Sequence, residues 1–268
     1  MITNRIPIAL TIAGSDSSGG AGIQADLKTF AALRVYGASA LTAITAQNTV
    51  GVLAVEVLPA AFVLAQIEAV LSDLDVRAIK TGMLADAAIV AAVAARLKAV
   101  RVPVVVDPVM VATSGDALLS EDAVAAVRDL LLPVSTLVTP NLPEAARLLE
   151  RSVASDEAAM RAQAEAIMRL GCGGVLIKGG HGAGSEAVDV LFDGQHMTRL
   201  ARPRLATRNT HGTGCTLSAA ITAGLARGIP MPDAVAQAKD YLWSALQQAD
   251  TLSVGRGHGP VHHMFALS

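Results

Sequence analysis

EAVDVLFDGQHMTRLA, residues 186–201, reads as two strands of alternating polarity joined at Asp193-Gly194, a type I′ hairpin signal. Over the rest of the chain, short β-branched runs alternate with longer alanine-rich segments of helical period, the pattern of βα units and a mainly parallel sheet. With 268 residues, that pattern alone also allows a closed (β/α)8 barrel. The hairpin argues against the barrel, because antiparallel strands are ordinary additions to an open layered sheet. The fold class predicted is α/β: a three-layer α/β/α arrangement whose mainly parallel central sheet carries antiparallel additions.

Working outward from the hairpin, strands are predicted near 6–13, 39–46, 76–81, 104–107, 137–139 and 174–178. Ile23, Leu27, Phe30 and Arg34 fall on helical spacing, with Gly37 expected to close that segment. SDEAAMRAQAEAIMRLG, residues 155–171, predicts a helix with Ser155 as N-cap and Gly171 as its stop. No low-complexity linker or fixed repeat interrupts the pattern, so residues 1–268 are read as one domain.

Composition narrows the function classes. Lys+Arg 21 against Asp+Glu 23 indicates neither a nucleic-acid surface nor a polybasic membrane patch. The apolar opening IPIALTIAG is too short to span a bilayer and runs into GSDSSGGAG rather than a cleavage site. A cytoplasmic protein with a small-molecule partner is expected. Cys172 and Cys215 stand far apart without a CxxC, so neither a disulfide framework nor a zinc knuckle is suggested.

Gly14, Gln47, Lys80, Asp107, Asn141 and Lys178 each fall at or just past the carboxyl end of a predicted strand. In a parallel sheet those ends share one edge, where ligands bind. Two glycine-rich readings fail there. Gly14 to Gly19 has P-loop spacing, but Gly20 stands where the lysine is required. GAGIQA, residues 20–25, fits the loose dinucleotide fingerprint, yet TAQN ends the next strand with no acid to hold a ribose. HGTGC, residues 211–215, is different. Gly212, Thr213 and Gly214 lead into a helical run, so converging backbone N–H groups and the helix N-terminus form a receptor for a phosphate. Asn141, Glu144, Asp107 and Lys178 offer the metal organisers and the cation that phosphoryl transfer needs.

IAGSDSSGGAGIQADLKTF (12–30), ITAQNTVGV (44–52), IKTGML (79–84), VVVDPVMVATSG (104–115), VTPNLPEA (138–145), VLIKGGH (175–181), HGTGCTLSAAITAGLARG (211–228) and GHGPVHH (257–263) together resemble the hydroxymethylpyrimidine/phosphomethylpyrimidine kinases of thiamine biosynthesis, within the ribokinase-like superfamily. The resemblance implies ATP- and Mg2+-dependent phosphorylation of 4-amino-5-hydroxymethyl-2-methylpyrimidine and then of its monophosphate, by a protein that is commonly a homodimer. Ser18 departs from a position where the family often has glycine. The resemblance places Gln47 on the pyrimidine edge, with Gly14, Asp26 and Met83 around the ring. An amide suits an aminopyrimidine, since it offers a donor and an acceptor together. Asp26 is equally readable as a first-turn acid and Met83 as core filler. Asn141 and Glu144 match the superfamily's N-x-x-E, which organises Mg2+ and phosphate through water, and the same residues suit a helix cap. Asp107, after an apolar run, fits a magnesium or phosphate role, because an uncompensated charge there is costly. Lys178 fits the transferring phosphate. His211 beside the anion loop reads either as a phosphate donor or as a structural residue, and His258, His262 and His263 suggest no metal site.

Cys215 stands where many ribokinase-like kinases have a catalytic Asp. In the second reaction the nucleophile is a phosphate already bearing roughly 1.5 to 2 negative charges, so no base is required and a carboxylate would repel it. A neutral thiol tolerates both substrates; a small buried residue at a helix start is the plainer reading. Pyridoxal or pyridoxine kinases are the nearest alternative, since their substrate is also a heteroaromatic hydroxymethyl compound. A non-catalytic pyrimidine-binding protein on the same fold is the alternative from another class.

Overall fold

The computed structural model describes residues 6–110, 119–180 and 184–267; residues 111–115 of VVVDPVMVATSG and residue 181 of VLIKGGH lie outside the described residues. The elements run β1 (Ile8–Ser15), α1 (Gly22–Ala32), β2 (Tyr36–Asn48), β3 (Gly51–Val57), α2 (Ala60–Leu71), β4 (Val76–Thr81), α3 (Ala87–Leu97), β5 (Val104–Val106), α4 (Glu121–Ala126), β6 (Leu137–Val138), α5 (Leu142–Leu149), α6 (Glu157–Met168), β7 (Val175–Lys178), β8 (Glu186–Phe192), β9 (Met197–Pro203), α7 (Thr213–Ala226) and α8 (Met231–Gln247). The nine strands form one sheet in the order β3-β2-β1-β4-β5-β6-β7-β8-β9. β2 to β7 pair in parallel through β1, β4, β5 and β6, while β3, β8 and β9 join antiparallel.

Strand periodicity builds the layers. Leu10, Ile12, Ile79, Val104, Val106 and Val138 point to one face and pack with Ile67 of α2, Val93 of α3, Leu148 of α5 and Ile167 of α6. Their neighbours Ala9, Ala78, Val105, Leu137 and Leu176 point to the other and meet Phe30 of α1, Ile221 of α7 and Val235 of α8. Apolar residues on both faces are what a parallel sheet covered by helices on each side requires. The second face is lined with small residues, which lets α7 approach closely; every residue of α7 from Thr216 to Ala226 is buried. Among the described residues no helix is long and apolar enough to cross a membrane.

Four local expectations need correction. Gly37 does not close the first helix: α1 ends at Ala32, Arg34 takes a left-handed φ of 61°, and Gly37 lies inside β2, where a Cβ would come within 2.6 Å of Leu27 and 2.9 Å of Phe30. The cap of α6 is Asp156, whose carboxylate accepts from the Ala159 amide at 2.8 Å, not Ser155; adjacent capping residues were separable only by the apolar phase of Met160, Ala164 and Ile167. The β8–β9 hairpin has the expected strands but four connecting residues, since Phe192 pairs with Met197. Asp193 holds that turn by accepting from the Gln195 and His196 amides, and only Gly194 takes a positive φ. Finally, β2 is longer than expected and turns into β3, an antiparallel edge strand not foreseen, through an Asn48 side chain that accepts from the Val50 and Gly51 amides.

Candidate active site

The parallel strands gather the predicted residues along one edge, where α7 begins. Its N-cap, Gly212, has φ 79°, and a Cβ there would overlap the Gly20 carbonyl oxygen, so only glycine fits both the turn and the contact. Thr213, Gly214 and Cys215 form the first turn. A Cβ on Gly214 would stand 3.3 Å from Lys178 Nζ and 3.6 Å from Asp107 Oδ2, which places the bare turn directly against that ion pair. Helix N-terminus, glycine backbone and lysine thus converge on one spot, the arrangement that stabilises a phosphate in transfer.

Lys178, at the end of β7, donates to Asp107 Oδ1 at 2.8 Å and lies 3.9 Å from Glu144 Oε2. Asp107 is 1% exposed and accepts further from Thr139 Oγ1 at 3.2 Å and Ser218 Oγ at 3.1 Å. Burial favours its neutral form, but Lys178 and Lys80 outweigh that and hold the carboxyl below its ordinary range. Asn141 and Glu144 form a capping box on α5: the Asn141 side chain accepts from the Glu144 amide at 2.9 Å and the Glu144 carboxylate from the Asn141 amide at 2.7 Å. The cap reading of N-x-x-E therefore holds in full. Burial pushes the Glu144 carboxyl up to about 7, against the opposing effect of Lys178.

A second group lies on the β1, β2 and β4 side. Gly14 and Met83 touch, since a Cβ on Gly14 would overlap the Met83 methyl. Gln47 is partly exposed at the end of β2, where the Ser17 hydroxyl accepts from its amide and donates to its carbonyl, both at 2.8 Å, and Thr45 Oγ1 approaches its Oε1 at 3.2 Å. Asp26 sits deeper. Both its oxygens face Lys80 Nζ, at 2.6 and 2.7 Å, Thr11 donates to it at 2.6 Å, and Asp26 and Lys80 are each 0% exposed. Lys80 is thus a core residue rather than part of the strand-end rim. Its charge also acts on Asp107 and Cys215, linking the two groups. Burial raises the Cys215 thiol to about 11, more than Lys80 lowers it, so this sulfur is neutral at physiological pH.

Asp16, Ser17, Thr45 and Ser218 were not among the residues picked out from the sequence. Only Asp16 had a local signature: Asp followed by Ser-Ser-Gly-Gly is a turn in which the carboxylate takes nearby amides. Ser18 contributes its own hydroxyl to Asp16 at 2.7 Å, so the departure from glycine there adds a bond to the loop. His211 contacts Asp16, at 2.8 Å.

A mainly parallel sheet with antiparallel edges, its strand-end charges gathered under a glycine turn that opens a helix, defines the class: an α/β phosphotransferase of ribokinase-like fold. The phosphomethylpyrimidine kinase family model matches residues 16–262. The hydroxymethylpyrimidine/phosphomethylpyrimidine kinase of Rhizobium meliloti is 62% identical over 96% of both chains, and that of Escherichia coli 54% identical over 96% of this chain and 97% of its own. The chain belongs to the phosphomethylpyrimidine kinase family. Among solved structures, an ADP complex of Bacillus subtilis pyridoxal kinase superposes with TM-score 0.91 at 38% identity, covering 98% of this chain and 99% of that one. Phosphomethylpyrimidine kinase from Clostridium difficile gives 0.79 at 44% identity, covering 89% and 99%.

Proposed function

We propose that the protein transfers the γ-phosphoryl group of ATP to 4-amino-5-hydroxymethyl-2-methylpyrimidine and then to its monophosphate, forming the diphosphate used in thiamine biosynthesis, as a single kinase domain acting in the cytoplasm. One observation carries the chemistry: Lys178, fixed by Asp107, lies under the bare turn at Gly214. The choice of pyrimidine over pyridoxal rests on the relative at 62% identity, whereas the superposable pyridoxal kinase shares 38%. Neighbours solved with ADP and AMP-PCP support ATP as the donor.

In this reading Gln47 holds the aminopyrimidine edge, with Gly14 and Met83 against the ring and Asp26 beneath them. The amides of Gly212, Thr213 and Gly214 receive the moving phosphate, and Lys178 offsets its growing charge. Among the described residues no cluster of three or more His, Cys, Asp or Glu side chains is placed to cage a metal. Asp107 and Glu144 are already hydrogen-bonded to protein, which fits Mg2+ held through water, and a cation there would restore the charge that burial removes from Glu144. Mg2+ would supply neutralisation of the phosphate oxygens.

The test is ATP consumption with Mg2+ and either hydroxymethylpyrimidine or pyridoxal, with products identified by mass. Mono- and diphosphorylated pyrimidine are expected; pyridoxal phosphate alone would transfer the protein to the second reading, a pyridoxal kinase.

The neutral Cys215 thiol carries a sharper expectation. Cys215→Asp is expected to slow the monophosphate step at least about 10-fold more than the alcohol step, since like charges a few ångströms apart repel by about 1–4 kcal/mol. Separate kcat measurements on the two substrates check it; equal effects would remove the repulsion argument.

We also propose a homodimer through the edge hairpin. Leu53 is 78% exposed, with Ile44, Val55 and Val57 more than 40% exposed beside it on β2 and β3. An unpaired apolar edge strand of this kind invites a partner. Leu53→Glu is expected to weaken self-association by about 2 kcal/mol or more, read by sedimentation velocity; unchanged sedimentation would exclude this surface.

A further inference from the structure

The loop between β1 and α1 and the turn that opens α7 are tied by one side-chain pair. Asp16 is 3% exposed and accepts five hydrogen bonds: Oδ1 from the Ser18 amide at 2.8 Å and hydroxyl at 2.7 Å, and Oδ2 from the Gly20 amide at 3.1 Å, the Ala21 amide at 2.8 Å and His211 Nε2 at 2.8 Å. His211 is 6% exposed and directly precedes Gly212. The backbones beneath this pair have no slack, because a Cβ on Gly20 would overlap the His211 ring and one on Gly212 would overlap the Gly20 carbonyl.

Each end of the pair leads to a functional group. From Asp16 the chain passes to Ser17, whose hydroxyl holds the Gln47 main chain from both sides. From His211 it passes to Gly212 and the phosphate-receiving amides. The same turn is braced from behind, where the His211 amide donates to the Gly259 carbonyl at 3.1 Å and the His258 amide to the Thr49 carbonyl at 3.0 Å, two residues past Gln47. We propose that Asp16 and His211 are a positioning pair that sets the distance between the pyrimidine's hydroxymethyl group and the anion-binding turn, and so governs the rate of both transfer steps rather than affinity for ATP.

This inference rests on the substrate reading given above for Gln47 and the α7 turn. Asp16 and His211 are assigned no contact with reacting atoms. Their effect is geometric: a misplacement of about 1 Å between reacting groups costs about 100-fold in rate. A ring nitrogen donating to a carboxylate already saturated by amides is suited to that task, since the carboxylate cannot rotate away without releasing the loop.

Two variants test it. His211→Ala is expected to lower kcat by about 100-fold on both the alcohol and the monophosphate, with KM for ATP changed by no more than about twofold. His211→Gln, whose Nε2 donates at similar reach, is expected to recover most of that loss. A His211→Ala enzyme with wild-type kcat at 25 °C and only a lower melting temperature would overturn the proposal, as would equal losses in the two variants. Amide hydrogen exchange supplies the activity-independent readout. In His211→Ala, the amides of Gly20 and Ala21 and those of Thr213 to Cys215 are expected to lose protection together, and loss confined to either loop would overturn the pairing. If the wild-type protein failed to phosphorylate the pyrimidine while exchange in the two loops remained linked, the substrate reading would fall and the link would stand.

Discussion

Replacing Asp26 with alanine is expected to lower the unfolding free energy by about 3–5 kcal/mol, read from urea midpoints at pH 7. Asp26 and Lys80 have no solvent access, so neither charge keeps hydration when its partner is removed. Lys80 is held protonated: burial opposes its charge, and the carboxylate of Asp26 more than compensates, with Asp107 adding to the effect. In Asp26→Ala the buried ammonium loses both of its carboxylate contacts and keeps Asp107 as its remaining carboxylate influence. The double variant Asp26→Leu/Lys80→Met separates this account from loss of packing. Removing both charges together is expected to return stability to within about 1 kcal/mol of the parent, since apolar replacements of a buried pair are often neutral or stabilising. An Asp26→Ala loss below about 1 kcal/mol would mean that water reaches the pair.

Asp26 also marks where reading letters stops being sufficient. The βα alternation, the β8–β9 strands and the helix-opening HGTGC turn were all legible, because each is a local pattern with a fixed period or spacing. β3 was not, as its apolar residues face solvent at the sheet edge and do not alternate. Strand-end logic correctly placed Lys178 and Asp107, yet gave Lys80 the same address. What distinguishes Lys80 is a partner 54 residues earlier on α1, reached only because β1 and β4 pair in parallel. The Asp16–His211 contact spans 195 residues and was invisible for the same reason. For N-x-x-E, cap and site reading share residues, so the letters could not choose between them; the structure shows the capping box, and the site reading stands as the proposal made above. For Cys215, desolvation raises the thiol more than Lys80 lowers it, a balance that no neighbouring residue in sequence announces.

Lys178→Met is expected to reduce kcat by about 100- to 1,000-fold on both substrates, the usual consequence of removing one group that meets developing charge in a water-poor site. The monophosphate step should suffer more, because its nucleophile brings roughly 1.5 to 2 further negative charges to the same spot. Lys178 also shields Asp107, whose carboxyl is held below its ordinary range partly by this ammonium. With the lysine gone, burial dominates and the Asp107 carboxyl rises. A folded-state value above the unfolded one reverses the linkage: the parent loses this carboxyl's contribution as pH falls, whereas the variant favours the protonated carboxyl in the folded state and loses stability as pH rises through that range. Lys178→Met should accordingly show both the kinetic defect and a loss of stability at neutral pH that is partly recovered on acidification. Asp107→Asn should share the first effect through loss of lysine positioning, but lack the second. If Lys178→Met turned over the alcohol at the parent rate, the cation beneath Gly214 would have no part in the transfer, and the backbone amides of the α7 turn would have to carry the phosphate charge alone.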